Sequence, residues 1–282
     1  MLIEIAIGDA YGAGFEYADR DLIDKHNDLS RYIQHPRHKG IKPGMYTDDA
    51  QMSLAIAEAL VEGDDWTPLN LANRFVDAFK RDPREGYAGR FYDFLQRINR
   101  GEEFLDKIIP TSDKSGAAMR AAPIGVCTTV EEVIERTTIQ AKLTHNTPDG
   151  VNAAVAAALA SHYFLYDLGD KADLGTFLET HVDGAWATPW RGKVKSKGWM
   201  SVRAAMTAIT AHEALSDILR ACIAFTGDVD TIAAIAMGAA AHSREVDGDL
   251  PRHLYATLEN GDYGHDYITA LDERLLALVD RG

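Results

Sequence analysis

The sequence predicts an all-α protein, and three observations carry that prediction. Apolar residues recur every three or four positions along most of the 282-residue chain, which is the spacing of one helix face. No run of alternating apolar and polar residues bounded by turns marks a strand. Hydroxyl-bearing or acidic residues stand immediately before several of the periodic stretches, where helices take their caps.

In chain order, the first long helix opens at Tyr46-Thr47-Asp48-Asp49-Ala50-Gln51-Met52 and carries Met52, Ile56 and Leu60 inward. Thr67-Pro68 is an N-cap followed by proline at the first helical position. Leu71, Phe75 and Phe79 then recur every four residues, which predicts a helix over 68–80. Thr129 and Glu132 have capping-box spacing, and Val133, Thr137 and Ala141 face the core from a helix that ends at Leu143. Residues 150–167 set Val151, Val155, Leu159 and Tyr163 on one face and alanines over most of the rest. Such small side chains let neighbouring helices approach closely, so this helix is expected to be central. A second long helical region is predicted over 202–225, a further helix over 232–242, and an amphipathic, peripheral one over 266–280 with Ile268, Leu271, Leu275 and Leu278. Segments 29–46 and 181–200 resist assignment and are expected to be active-site loops.

With 46% of its residues apolar, the chain can bury one sizeable core, and one domain over 1–282 is expected. The formal charge of −14 disfavours extended contact with a phosphate backbone. It leaves room for a small anionic ligand wherever bound divalent cations invert the local field. Cys127 and Cys222 stand in apolar-leaning helical stretches and read as buried hydrophobes rather than a disulfide or zinc site. Apolar runs are too short to cross a bilayer, and the N-terminus lacks a basic region followed by an apolar one, so a cytoplasmic protein is expected.

Two acidic clusters stand out. Thr47-Asp48-Asp49 precedes one helix, and Gly227-Asp228-Val229-Asp230-Thr231 repeats the same chemistry before another, 180 positions later from Asp48 to Asp228. Capping needs one acceptor oxygen per helix start, whereas each start here offers three oxygen-bearing side chains, two of them anionic. In an extended segment Asp228 and Asp230 would point to one side of the backbone. If the two starts converge, four carboxylates and two hydroxyls form an all-oxygen set suited to Mg²⁺ or Mn²⁺ rather than zinc. Four ionised carboxylates in one cleft are strongly unfavourable without cations, which points to two divalent ions.

These residues resemble the ADP-ribosylglycohydrolase family over most of the chain. The resemblance rests on Gly8-Asp9-Ala10-Tyr11-Gly12 leading to Glu16, the Tyr46–Met52 motif, Gly116-Ala117-Ala118-Met119-Arg120-Ala121-Ala122-Pro123, Thr144-His145, and Gly227–Thr231, in the family's order. It implies an orthogonal bundle of helices with a binuclear cleft, in which two Mg²⁺ or Mn²⁺ ions are liganded by Thr47, Asp48, Asp49, Asp228, Asp230 and Thr231. It implies hydrolysis of the bond between ADP-ribose and an acceptor, with the ions orienting the distal ribose and activating water. Asp48, Asp49 and Glu16 are the catalytic candidates, and Asp9 is expected to brace the first turn.

The segment 110–116 is expected to cradle the diphosphate through Ser112, Ser115, Gly116 and backbone N–H groups at a helix N-terminus. His145 matches a family histidine beside the ribose. The sequence departs from the family pattern at Lys114-Ser115-Gly116, where Gly-Asn-Gly is usual, at Thr226, where glycine is common, and at Val229, where threonine is common. The resemblance leaves the acceptor open among arginine, serine, a nucleobase and small ADP-ribose derivatives; the acidic surface favours a protein side chain. A catalytically silent ADP-ribose reader or structural member of the same fold, and a phosphoanhydride hydrolase, are the alternatives.

Overall fold

The computed structural model describes residues 1–279. Helices α1 (Leu2–Ala13), α2 (Arg20–His26), α3 (Asp48–Val61), α4 (Pro68–Arg81), α5 (Gly89–Arg97) and α6 (Gly101–Lys107) form the first part of the chain. They are followed by the short α7 (Gly116–Met119), a 3-10 turn (Ala122–Val126), α8 (Val130–Lys142) and α9 (Pro148–Leu165). A second 3-10 turn (Lys171–Asp173) leads to α10 (Leu174–His181), α11 (Gly198–Ala211), α12 (Leu215–Ala224), α13 (Val229–Ala240), α14 (Arg252–Thr257) and α15 (His265–Leu276). Among the described residues the extended pairing is limited to four isolated bridges, so the all-α expectation holds.

The centre is built from helices whose side chains are small enough to be covered on every side. All twelve residues of α13, VDTIAAIAMGAA, are buried, as is α9 from Ala153 to Leu165. Helix α1 lies along α13, which also touches α11, α12 and α9; α3 packs on α1, α4 and α15. The approach of α1 to α13 is close enough that a Cβ on Gly12 would land on the backbone of Asp230, and one on Gly8 would sit 2.8 Å from the Ala233 carbonyl oxygen. Glycine is required at Gly12 by that contact, which sets the first helix against the second acidic motif.

Most local expectations are met. The Thr67 hydroxyl accepts from the Asn70 N–H at the head of α4, and Leu71, Phe75 and Phe79 are buried. The Thr129 hydroxyl accepts from the Glu132 N–H; the Glu132 carboxylate reaches one residue further back than a capping box requires, accepting from Thr128. Helix α9 opens slightly earlier than expected because Thr147 caps it through the Gly150 N–H.

Three expectations need correction. The region 202–225 is two helices. His212, Glu213 and Ala214 leave the helix because Lys171 donates to the His212 carbonyl and the 213–215 backbone pairs with Asp247. Segment 181–200 begins inside α10 and ends inside α11, so the irregular stretch is 182–197. The last helix stops at Leu276: Ile268, Leu271 and Leu275 are buried as expected, whereas Leu278 lies past its end and is 42% exposed; Asp280 lies outside the described residues. Segment 29–46 is irregular throughout, as expected.

Candidate active site

Both acidic motifs open into a single cleft of about 700 Å³. Asp48, Asp49, Asp228, Asp230 and Thr231 line it together with Glu16, and Ser112, Ser115, Gly116 and His145 line another part of its wall. Thr47 is the one expected site residue not on the lining. Its hydroxyl donates to Asp9 Oδ1 at 2.8 Å, which leaves the oxygen lone pairs uncommitted.

Asp9 is the brace the sequence suggested, and its reach is longer than one turn. From α1 its fully buried carboxylate accepts from the Thr47 N–H (2.9 Å) and the Ala50 N–H (2.8 Å) as well as the Thr47 hydroxyl. The N-terminus of α3 is therefore capped by a residue of another helix, and Thr47, Asp48 and Asp49 are released from capping duty. Burial raises the Asp9 pKa to about 6 against these three hydrogen bonds.

At the second motif the expected extended segment is absent. Gly227 turns the chain at φ +98°, a conformation favourable to glycine. Asp228 follows as the N-cap of α13 and Asp230 falls in its first turn. The two carboxylates nevertheless meet: one oxygen from each, with one from Glu16, form a group whose members all lie within 4.8 Å of one another. Thr226, where the family commonly has glycine, is held left-handed at φ +65°, and Val229 is fully buried. Both departures are thus accommodated by backbone strain and by core packing respectively.

Electrostatics mark this floor as unusual. Burial first, then neighbouring carboxylates, push Asp48, Asp49 and Asp230 well above the ordinary carboxylate range. Asp228 is raised to about 7 by burial and by Glu16, opposed by its hydrogen bond from the Ser115 hydroxyl. Asp49 Oδ1 is buried with no hydrogen-bond partner. An orphaned carboxylate oxygen is costly, and a hard divalent cation is the partner that an all-oxygen set can accept.

Three of the four isolated bridges stitch the wall: Thr111 to His145, Lys114 to Lys197, and Val194 to Gly227. Four chain segments distant in sequence thereby converge on the cleft. The backbone N–H groups of Ser112 and Ser115 are spent on Thr144 and Ser196, so these two residues do not offer them to an anion as the cradle expectation required. Ser112 Oγ accepts from the Lys114 N–H and keeps its own proton to give. Lys114 fills the place of the missing glycine, and its ammonium lowers the pKa of Asp228.

His145 is buried, and desolvation followed by the Arg120 charge lowers its pKa to about 3. Arg120 donates to Thr144 Oγ1 at 2.9 Å, so the Thr144 proton goes to His145 Nδ1 at 2.7 Å. The remaining proton sits on Nε2, on the ring edge beside Gly116. His145 is therefore a neutral donor.

Several lining residues were not singled out from the sequence. Arg120, fully buried and over the Phe75 ring, ties the turn after α7 to Gln140 and Thr144. Tyr17, Tyr87, Phe91 and Phe94 supply an aromatic wall, and their spacing is that of ordinary core residues. His35 approaches the site through Glu16 at 3.1 Å; its only sequence signal was its place in the irregular segment 29–46, which carries two histidines.

Among known proteins, the chain is 28% identical over 198 residues to ADP-ribosylhydrolase ARH3 of Xenopus tropicalis, covering 64% of this chain and 53% of that protein. It is 27% identical over 254 residues to human ADP-ribosylhydrolase ARH3, covering 78% and 67%. The ADP-ribosyl-[dinitrogen reductase] glycohydrolase of Rhodospirillum rubrum is 25% identical over 271 residues, covering 90% and 87%. A solved structure described as an ADP-ribosylglycohydrolase-related protein complex shares the fold, with a TM-score of 0.69 at 20% identity over 99% of this chain and 95% of that one. The matched stretch is thus about half of the frog protein. A sequence model of the family matches residues 1–282 from end to end, and the chain, with both acidic motifs at one cleft, belongs to the ADP-ribosylglycohydrolase family.

Proposed function

We propose that the chain, acting as one domain over 1–282, is a metal-dependent hydrolase that releases ADP-ribose from a modified acceptor by cleaving the glycosidic bond at the distal ribose. The observation that carries this reading is the convergence of both acidic motifs and Glu16 on one cleft, whose wall also holds Ser112, Ser115, Gly116 and His145. Among relatives, the names ADP-ribosylhydrolase and ADP-ribosyl-[dinitrogen reductase] glycohydrolase support the same chemistry.

The residues fit a pair of Mg²⁺ or Mn²⁺ ions. Asp48, Asp49, Asp228, Asp230 and Thr231 present buried oxygens, Asp49 Oδ1 lacks any other partner, and Thr47 keeps its lone pairs free. Bound there, such ions would supply Lewis acidity toward the ribose hydroxyls and toward a water. The chain's own groups would do the rest. Glu16, at the edge of the carboxylate group, takes the proton of the attacking water and faces the positive charge that develops at the anomeric carbon. Asp48 and Asp49 orient the sugar from the opposite helix start. His145, its pKa lowered to about 3 by burial and the Arg120 charge, donates from Nε2 to a ligand oxygen. Lys114 and the Ser112 hydroxyl meet the diphosphate.

The test is incubation of the purified chain with Mg²⁺ and arginine-, serine- and nucleobase-linked ADP-ribose, with products read by mass spectrometry and an EDTA control. Free ADP-ribose from at least one linkage, abolished by EDTA and restored by Mg²⁺ or Mn²⁺, is expected; a protein side-chain linkage is favoured by the charge of −14. AMP as the product, or binding without release, would contradict the reading.

A further inference from the structure

Glu16 is a flexible side chain, 20% exposed, whose carboxylate stands among those of Asp228 and Asp230. Like charges at that separation repel, and three rotatable bonds allow the side chain to leave. Something must hold it in place. The neighbour on its other side is His35, whose side chain is 1% exposed and whose Nε2 lies 3.1 Å from Glu16 Oε2.

The ring's proton can be placed from its partners. The backbone N–H groups of Arg37 and His38 both donate to His35 Nδ1, at 3.0 and 2.9 Å. Nδ1 is therefore the acceptor and Nε2 carries the hydrogen, aimed at Glu16. The turn that carries His35 is itself fastened to the site. Arg37 donates to the Tyr17 carbonyl at 3.0 Å and lies over the Tyr17 ring at 5.7 Å. Tyr17 in turn donates its N–H to the Gly227 carbonyl at 2.7 Å. That bond holds Tyr17 at φ +48°, a strained value for so large a residue. Glu16 is thus flanked by a left-handed residue pinned to the second acidic motif and a buried imidazole pinned by its own turn.

We propose that His35 is the positioning residue that keeps the Glu16 carboxylate over the acidic floor, acting from segment 29–46, which contributes no residue to the lining of the cleft. The inference rests on the reading of Glu16 given above, and its two ring nitrogens allow it to be tested separately from loop folding. Asn at position 35 retains an acceptor near Nδ1 for the turn and loses the donor to Glu16. Gln at that position places an N–H near Nε2.

His35→Asn is expected to lower kcat roughly tenfold or more, the size of a lost charge-assisted hydrogen bond. KM and melting temperature should stay near wild type, and His35→Gln should recover part of the loss. In the Glu16→Gln background, His35→Asn should add less than about twofold, because the two residues act as one unit. Crystal structures grown in EDTA, where the like charges stay unopposed, give a readout independent of turnover: the Glu16 carboxylate should leave Asp228 and Asp230 in His35→Asn and stay in His35→Gln. A fully active His35→Asn enzyme, or one whose effect simply multiplies that of Glu16→Gln, overturns the proposal. If the wild-type chain releases no ADP-ribose, the functional reading fails on its own, and an unmoved Glu16 in the His35→Asn structure would still refute the positioning role.

Discussion

At the scale of single residues, the acidic floor sets stability against function. Asp9 and Asp228 are raised to about 6 and about 7, and Asp48, Asp49 and Asp230 well above the usual range, chiefly by burial. A carboxyl whose folded pKa lies above its unfolded value of about 3.9 binds more protons folded than unfolded between the two values. Stability contributed by the floor therefore falls as pH rises through that window, from about 4 to about 7 and beyond for the more strongly raised groups. In EDTA, the melting temperature should gain from this floor at pH 5.5 relative to pH 8, and Mg²⁺ should restore stability at pH 8. Asp230→Asn, whose amide oxygen can still accept from the Thr231 N–H as Asp230 Oδ1 does at 3.0 Å, removes one repelling charge. It should melt higher than wild type at pH 8 in EDTA while losing nearly all turnover. A lower melting temperature in EDTA, or retained activity, would contradict the charge account. The motif singled out His145, which does line the cleft; its tautomer was not legible, because that depends on Arg120 and Thr144, and Arg120 comes from a different part of the chain.

At the scale of elements, the long helices with a periodic apolar face were readable, whereas α1, α2, α5, α6, α7, α10 and α14, and the helix junctions, were not. The caps at Thr67 and Thr129 are local chemistry, so α4 and α8 could be placed from sequence, and the alanine-rich face placed α9 without its cap at Thr147. The break between α11 and α12 could not, because it is imposed by Lys171 and Asp247, residues from other parts of the chain. The cap of α3 shows the same limit: Thr47 looks like an N-cap, yet Asp9 of α1 satisfies that helix start and leaves Thr47 and the two aspartates for the cleft. The contact that aligns the two motifs is Gly12 of α1 against Asp230 of α13. Gly12→Ala should force the helices apart at a cost of roughly 1–3 kcal/mol, seen as a melting temperature several degrees lower, and should weaken divalent-ion binding with it. Unchanged thermal stability would mean that the helices are not held by this contact.

At the scale of the whole molecule, the chain brings together positions 16, 48–49, 112–116, 145 and 228–231 around one cleft. Two acidic motifs 180 positions apart were legible as a pair because their charge exceeds what capping requires. Their convergence was not legible, since it depends on α1 lying along α13 and on three backbone bridges between loops. The aromatic wall from α5 was likewise hidden, because Phe91 and Phe94 have the spacing of core residues. Among the described residues no helix is long and apolar enough to cross a membrane, and the polar groups that matter are gathered at the cleft. The proposed reading requires the two helix starts to hold a pair of divalent cations. Its most direct test is diffraction from crystals grown with Mn²⁺, read through the metal's anomalous signal. Two peaks are predicted between the starts of α3 and α13, in contact with Asp48, Asp49, Asp228 and Asp230; a site without anomalous signal at saturating Mn²⁺, or metal bound only elsewhere on the chain, would contradict the account.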